Sequence, residues 1–262
     1  MDKLIDLFLS GDDAGSSPQR KQIISLGAGT DTRSLRMFSQ QSSPPVTYHE
    51  VDFPTICKQK LTTVSASPRL RQILPDPVVL DGGSWRTRSA GGSDLWCHGI
   101  DLRHLAQAED TSVLQGLKTD VPTLLVSECC LCYLQTSEAG EVIKWFTDRI
   151  PNLGIVIYEP IKPDDPFGRM MVSNLAARGI RMPTLEKYRE PRDQEGRLRD
   201  AGFDHVRQMT VDEIWEKWIP ETEKERVDGL EGLDEVEEWK LLAGHYIVAW
   251  AWKGTGFGSW LR

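Results

Sequence analysis

Residues 22–29 read QIISLGAG: a short apolar run that stops at Gly27-Ala28-Gly29. Apolar runs of this length, bounded by glycine, suit a buried parallel strand. A Gly-x-Gly turn at a strand end lets a ligand come close to the backbone, because glycine carries no Cβ. Four further runs end in an acid. They are 46–51 (VTYHEV) before Asp52, 95–100 (LWCHGI) before Asp101, 123–127 (TLLVS) before Glu128 and 154–158 (GIVIY) before Glu159. The run 245–252 (HYIVAWAW) reads as a last strand.

Helical spacing fills the intervals. It is seen over 2–9 (Leu4, Ile5, Phe8, Leu9), 31–37, 54–64 with Pro54 in its first turn, and 167–178. Val142, Ile143, Trp145, Phe146 and Ile150 mark an amphipathic helix. Thr210-x-x-Glu213 matches a capping box that opens another, and 221–242 is acidic and helical in pattern. Residues 10–19 and 39–45 read as loops, and 65–94, rich in Pro, Gly, Ser and Arg, as the least ordered interior segment. This alternation predicts one α/β domain over 1–262 around a mostly parallel sheet, with its ligand at the carboxyl ends of the strands.

The chain of 262 residues has 31 Lys+Arg against 39 Asp+Glu, a net charge of −8. That acidic balance argues against a general nucleic-acid binder, which needs a basic excess to neutralise phosphates. The longest strictly apolar run is seven residues, 246–252, far below the roughly 20 of a membrane-spanning helix. In MDKLIDLFLSGDD the short apolar stretch has acids on both sides and no cleavage-site pattern, so it does not read as a secretory signal. Five cysteines (57, 97, 129, 130, 132) include one lone C-x-x-C pair, so reduced thiols in a cytoplasmic protein are expected rather than a disulfide framework or zinc site.

Asp52 lies 23 residues after Gly29, the spacing of an acid that binds ribose hydroxyls. The full dinucleotide fingerprint is absent: its third glycine would fall at Thr32, and Asp31 would repel a pyrophosphate. A ligand with ribose but no phosphates fits better. S-adenosylmethionine, adenosine joined to a methionine sulfonium cation, is such a ligand, and an acid-rich pocket attracts the cation.

The segments IISLGAGTDTRSLR, HEVDFP, GIDLR, PTLLVSECCLCYL, DPFGRMMVSNL and LDEVEEWKLLAGHYIVAWAWKG, in that order, resemble the leucine carboxyl methyltransferases. The resemblance covers nearly the whole chain. It implies a class I S-adenosylmethionine-dependent methyltransferase, Rossmann-like, with a mostly parallel sheet of the seven-strand type. It implies transfer of a methyl group from S-adenosylmethionine to the α-carboxylate of the C-terminal leucine of a type 2A protein phosphatase catalytic subunit, with that tail as partner and the enzyme a monomer. By position in the motifs, Gly27 lies against the cofactor, Asp52 holds the ribose, Asp101 and Leu102 read the adenine, and Glu128 lies beneath the methionine part. Tyr133 belongs to the same pocket. The family segment ahead of the first helix supplies a lysine, an arginine and part of a cover, and this chain is expected to lack that lid. A truncated, non-catalytic phosphatase- or cofactor-binding homologue is the alternative reading. The tRNA-modifying branch, with its extra C-terminal repeat domain, is disfavoured.

A terminal carboxyl titrates near pH 3.5, so the acceptor is already ionised and no general base is required. No catalytic residue is therefore assigned, and His49, His98, His104 and His245 read as packed or solvated. Arg33 and Arg103 are candidates for the acceptor carboxylate, each against a plain surface ion pair. Glu159 reads as the cap of a following turn. Trp215, Trp218, Trp239, Trp250 and Trp252 read as core.

Overall fold

The computed structural model describes residues 1–11, 20–40, 44–230 and 236–261. Among them, nine strands form one sheet: β1 Gln22–Leu26, β2 Thr47–Asp52, β3 Val78–Val79, β4 Trp85–Arg88, β5 Asp94–Gly99, β6 Thr123–Glu128, β7 Leu153–Pro160, β8 His205–Thr210 and β9 Tyr246–Lys253. Their order is β3-β4-β5-β2-β1-β6-β7-β9-β8. Strands β5, β2, β1, β6 and β7 are parallel, and β9 runs antiparallel between β7 and β8. The stretch from β5 to β8 is the seven-strand arrangement expected. The antiparallel β3–β4 hairpin extends it.

The central strands are apolar on both faces, as strands covered by helices on both sides must be. Ile24, Leu26, Leu125, Ile155 and Ile157 pack with Val142, Ile143 and Phe146 of helix Thr136–Thr147. The alternate residues Ile23, Leu124, Val126 and Val156 face Leu4, Ile5 and Phe8 of helix Asp2–Ser10. The last turn closes this second layer: Trp260 Nε1 donates to the Leu4 carbonyl at 3.0 Å, and Phe257 stacks on Phe8.

Several sequence expectations are corrected. Segment 65–94 is ordered, with helix Pro68–Ile73 and the β3–β4 hairpin. Helix Pro191–Asp200 and β8 were not anticipated. The acidic stretch 221–242 forms helices Glu221–Asp228 and Val236–Ala243, with 231–235 outside the described residues. The loop expected at 10–19 lies outside them from 12 to 19, and that at 39–45 from 41 to 43. Trp250 and Trp252 are core, but Trp215 and Trp239 are half-buried and pack edge-on against each other. No helix among the described residues is long and apolar enough to cross a membrane.

Candidate functional site

From β1 the chain moves outward through β2 to β5, then returns to place β6 on the other side of β1. This reversal opens a crevice at the carboxyl ends of the strands. Pairing registers set Leu26 level with Val51 and Ser127, Asp52 level with Gly99, and Glu128 level with Tyr158. One residue beyond the last paired row, Gly27 joins Asp52, Gly99, Glu128 and Tyr158 along the rim.

Two clefts meet there, sharing Gly27 and Cys129. The narrower, about 350 Å³, is lined by Asp52, Phe53, Asp101, Leu102, Tyr133 and Leu134 among others. The wider, about 540 Å³, runs along the glycine turn past Asp31, Arg33 and Arg36 to Glu128 and Tyr158. All five residues singled out by sequence therefore stand on one continuous surface, contributed by the ends of β1, β2, β5 and β6.

Gly27 has φ +62°, and a Cβ there would meet Cys130 Sγ at 2.5 Å. The position needs glycine both for its conformation and for space. Asp52 fixes the turn: Gly29 N–H donates to its Oδ2 at 2.7 Å and Phe53 N–H to its Oδ1 at 2.7 Å. Each carboxylate oxygen keeps acceptor capacity for a ligand. Phe53, 52% exposed, and Tyr133, 47% exposed, present aromatic surface to the narrower cleft. Phe53 had no role in the sequence reading; its signal is its place directly after a strand-end acid.

Asp101 caps helix Leu102–Ala106 and grips Arg103, whose Nη2 donates at 2.6 Å. The Arg103 bond holds the Asp101 carboxyl below its ordinary range. Arg103 is thus an exposed ion-pair partner of Asp101. Arg33 is more enclosed: its Nε donates to Asp2 at 2.8 Å, Nη1 to Asp31 at 2.9 Å and Nη2 to Glu128 at 2.7 Å. Burial works against its charge, but these three acids overcome that and raise its pKa. Cys129, between Glu128 and the short turn Leu131–Tyr133, has φ 45°. Burial pushes the Cys130 thiol up to about 12, and likewise the Tyr133 phenol.

Glu159 is corrected. Strand β7 continues to Pro160, so Glu159 lies inside it, and side chains alternate across a strand. Tyr158 faces the wider cleft, while Glu159 is buried on Arg197, whose Nη1 donates at 2.8 Å. It caps no turn there. The histidines lie apart: His49 and His98 are buried against each other, His245 bridges Asp165 and the Leu241 carbonyl, and His104 is exposed. The five cysteines are free thiols, and no group of metal-ligating side chains occurs among the described residues.

The fold is that of the class I S-adenosylmethionine-dependent methyltransferases. The fold is similar to an O-methyltransferase family protein from Burkholderia thailandensis, with TM-score 0.51 at 15% identity, over 97% of this chain and 56% of that one. The leucine carboxyl methyltransferase family model matches residues 4–147. Leucine carboxyl methyltransferase 1 of Emericella nidulans is 42% identical over 289 aligned positions, covering 99% of this chain and 74% of the relative. That of Aspergillus fumigatus is also 42% identical, covering 98% and 70%. The chain belongs to the leucine carboxyl methyltransferase family.

Proposed function

We propose that the protein methylates the α-carboxylate of the C-terminal leucine of a type 2A protein phosphatase catalytic subunit, forming a methyl ester. The observation that carries this reading is the strand-end row: Gly27, Asp52, Asp101 with Leu102, and Glu128 share one crevice at the sheet's reversal point.

The residues present fit S-adenosylmethionine. Volumes of about 350 and 540 Å³ are of the size that holds small ligands. The Gly27 backbone lines both clefts and leaves a ligand room to approach it. Asp52 receives the ribose hydroxyls on its remaining lone pairs. Leu102, Phe53 and Tyr133 offer apolar and aromatic surface to the adenine, and Asp101 stands at its edge. Glu128 serves the methionine part. When bound, the cofactor supplies a methyl group activated on a sulfonium.

The protein's part is geometric. An ionised terminal carboxylate needs no proton removed, and no histidine lines either cleft among the described residues. Binding and alignment of the two reactants, with water excluded, supply the rate. Because alignment dominates, small displacements of Gly27 or Asp52 cost rate steeply, on the order of 100-fold per ångström-scale shift.

The test is methyl transfer from labelled S-adenosylmethionine to an intact type 2A phosphatase catalytic subunit and to one lacking its terminal leucine. Label should enter only the intact protein and leave as methanol in alkali, as an ester requires. Label on the truncated tail, or label resistant to alkali, counts against this reading. Cofactor binding with no transfer selects the non-catalytic alternative.

A further inference from the structure

A buried ion pair lies outside both clefts, between β2 and helix Pro54–Ala66. Lys60 Nζ, on the helix, is 2.6 Å from Glu50 Oε2, on the strand. The Glu50 and Lys60 side chains are 2% and 11% exposed. Cys97 of the apolar layer donates its thiol to the same Glu50 oxygen at 3.3 Å. Such a pair is a weak source of stability, because taking two charges out of water costs about as much as their attraction returns. Two apolar side chains of equal volume would hold the fold as well. What they could not supply is direction. Lys60 Nζ also donates to the Asp31 carbonyl at 2.8 Å, and Glu50 Oε1 accepts the Ser34 hydroxyl at 2.8 Å. Asp31 closes the turn that starts at Ala28, whose carbonyl accepts its N–H at 2.8 Å. Ser34 lies in the first turn of helix Arg33–Ser39 and is fully buried. Asp52, two residues beyond Glu50 on the same face of β2, holds Gly29. The segment is therefore gripped at Gly29, Asp31 and Ser34.

We propose that Lys60 and Glu50 are positioning residues: the pair touches no ligand, and fixes where the glycine turn stands. Gly29 and Asp31 line the wider cleft, whereas Lys60, Glu50 and Ser34 line neither cleft, so the pair acts on a ligand only through the turn. This rests on reading the crevice as the S-adenosylmethionine site. The buried charge gives two fixed bonds in return for its desolvation, one to the turn and one to the helix that follows it. Removing the pair as a unit should therefore separate two quantities that a structural role would move together. Stability should stay near its starting value, and affinity should fall because the turn no longer stands in one place.

The test uses the full chain. Glu50→Gln combined with Lys60→Met removes both charges and the donor to Asp31 at nearly equal volume. The Tm of this double variant should lie within about 3 °C of wild type. Its affinity for S-adenosylhomocysteine, by calorimetry, should fall at least about tenfold. Hydrogen exchange at residues 28–31 should quicken. Lys60→Arg, which keeps the charge and the donors, should recover part of the affinity. The control replaces Glu159 and Arg197, the buried pair between β7 and helix Pro191–Asp200, by methionines. It removes as much buried charge without touching the turn, and should leave affinity within about twofold of wild type. A double variant that fails to fold, or whose Tm and affinity fall together, shows the pair to be structural and overturns the proposal. Unchanged affinity, or unchanged exchange at 28–31, in the folded double variant overturns it as well, and leaves the cofactor reading standing. Wild type that binds no S-adenosylhomocysteine overturns the cofactor reading itself, and this proposal with it.

Discussion

The Asp52 carboxylate accepts the Gly29 backbone N–H at 2.7 Å, so the acid at the end of β2 holds the glycine turn at the end of β1. The proposed ribose contact and the shape of the loop both depend on one side chain. Asp52→Ala is expected to weaken S-adenosylhomocysteine binding by about 1.5–3 kcal/mol, the scale of hydrogen bonds to a charged group. Calorimetry on folded variant protein checks this; unchanged affinity removes Asp52 from the ribose role.

Gly27→Ala should destabilise through two separate causes. The left-handed backbone costs about 1–3 kcal/mol for a residue with a Cβ, and the clash with Cys130 adds to it. A fall in Tm of roughly 5–10 °C is expected. Adding Cys130→Ala should return part of it, because neighbours in contact are not additive. A double mutant no more stable than Gly27→Ala shows that the clash is not the cause.

Acid should weaken the fold through His49 and His98. Nδ1 of one lies 2.9 Å from Nε2 of the other, and Gln22 Oε1 lies 3.2 Å from His49 Nε2. Burial holds His49 well below its ordinary range, and lowers His98 to about 4. Both are therefore neutral when folded, while the unfolded chain takes up protons below about pH 6.5. Stability is full above that value and is lost as pH falls from about 6.5 toward 4, on the order of 2–3 kcal/mol for His98 alone. Urea midpoints at pH 7.5 and 5 measure it, and His98→Gln should flatten the difference.

Glu159→Gln should cost stability more than ligand affinity. It leaves the buried Arg197 guanidinium, stacked over Tyr188, without its counter-charge, a loss of about 3–5 kcal/mol. The double replacement Glu159→Met with Arg197→Met should lie closer to wild type. Denaturant melts alongside S-adenosylhomocysteine titration separate the two effects, and a large loss of affinity with intact stability would return Glu159 to the ligand site.

The sequence made legible what burial wrote as apolar runs. Strands β1, β6 and β7 are covered on both faces, so QIISL, TLLVS and GIVIY stand out. Strand β8, HVRQMT, is a half-exposed edge with too few apolar residues to show a period. Helix Pro191–Asp200, PRDQEGRLRD, buries Gln194, Arg197 and a single apolar residue, Leu198, so no apolar spacing marks it. At the site, strand ends located Asp52, Asp101 and Glu128. Glu159 looked equivalent because the end of β7 was placed two residues early; inside the strand, alternation turns Glu159 to the face opposite Tyr158 and away from the cleft. The Asp2–Arg33–Glu128 cluster is formed by three separate elements, and no local pattern records it.

Strand β9 lies between β7 and β8 yet follows both in the chain. On the ribosome, β7 is complete at Pro160, and its partner begins at Tyr246, 86 residues later. At roughly 5–20 residues per second, the apolar edge of β7 waits some 4–17 s for the strand that covers it. Strand β8 emerges during that wait but has nowhere to dock until β9 arrives. The nascent chain therefore passes through an interval with an open sheet edge, when a second nascent chain or a chaperone competes for β7.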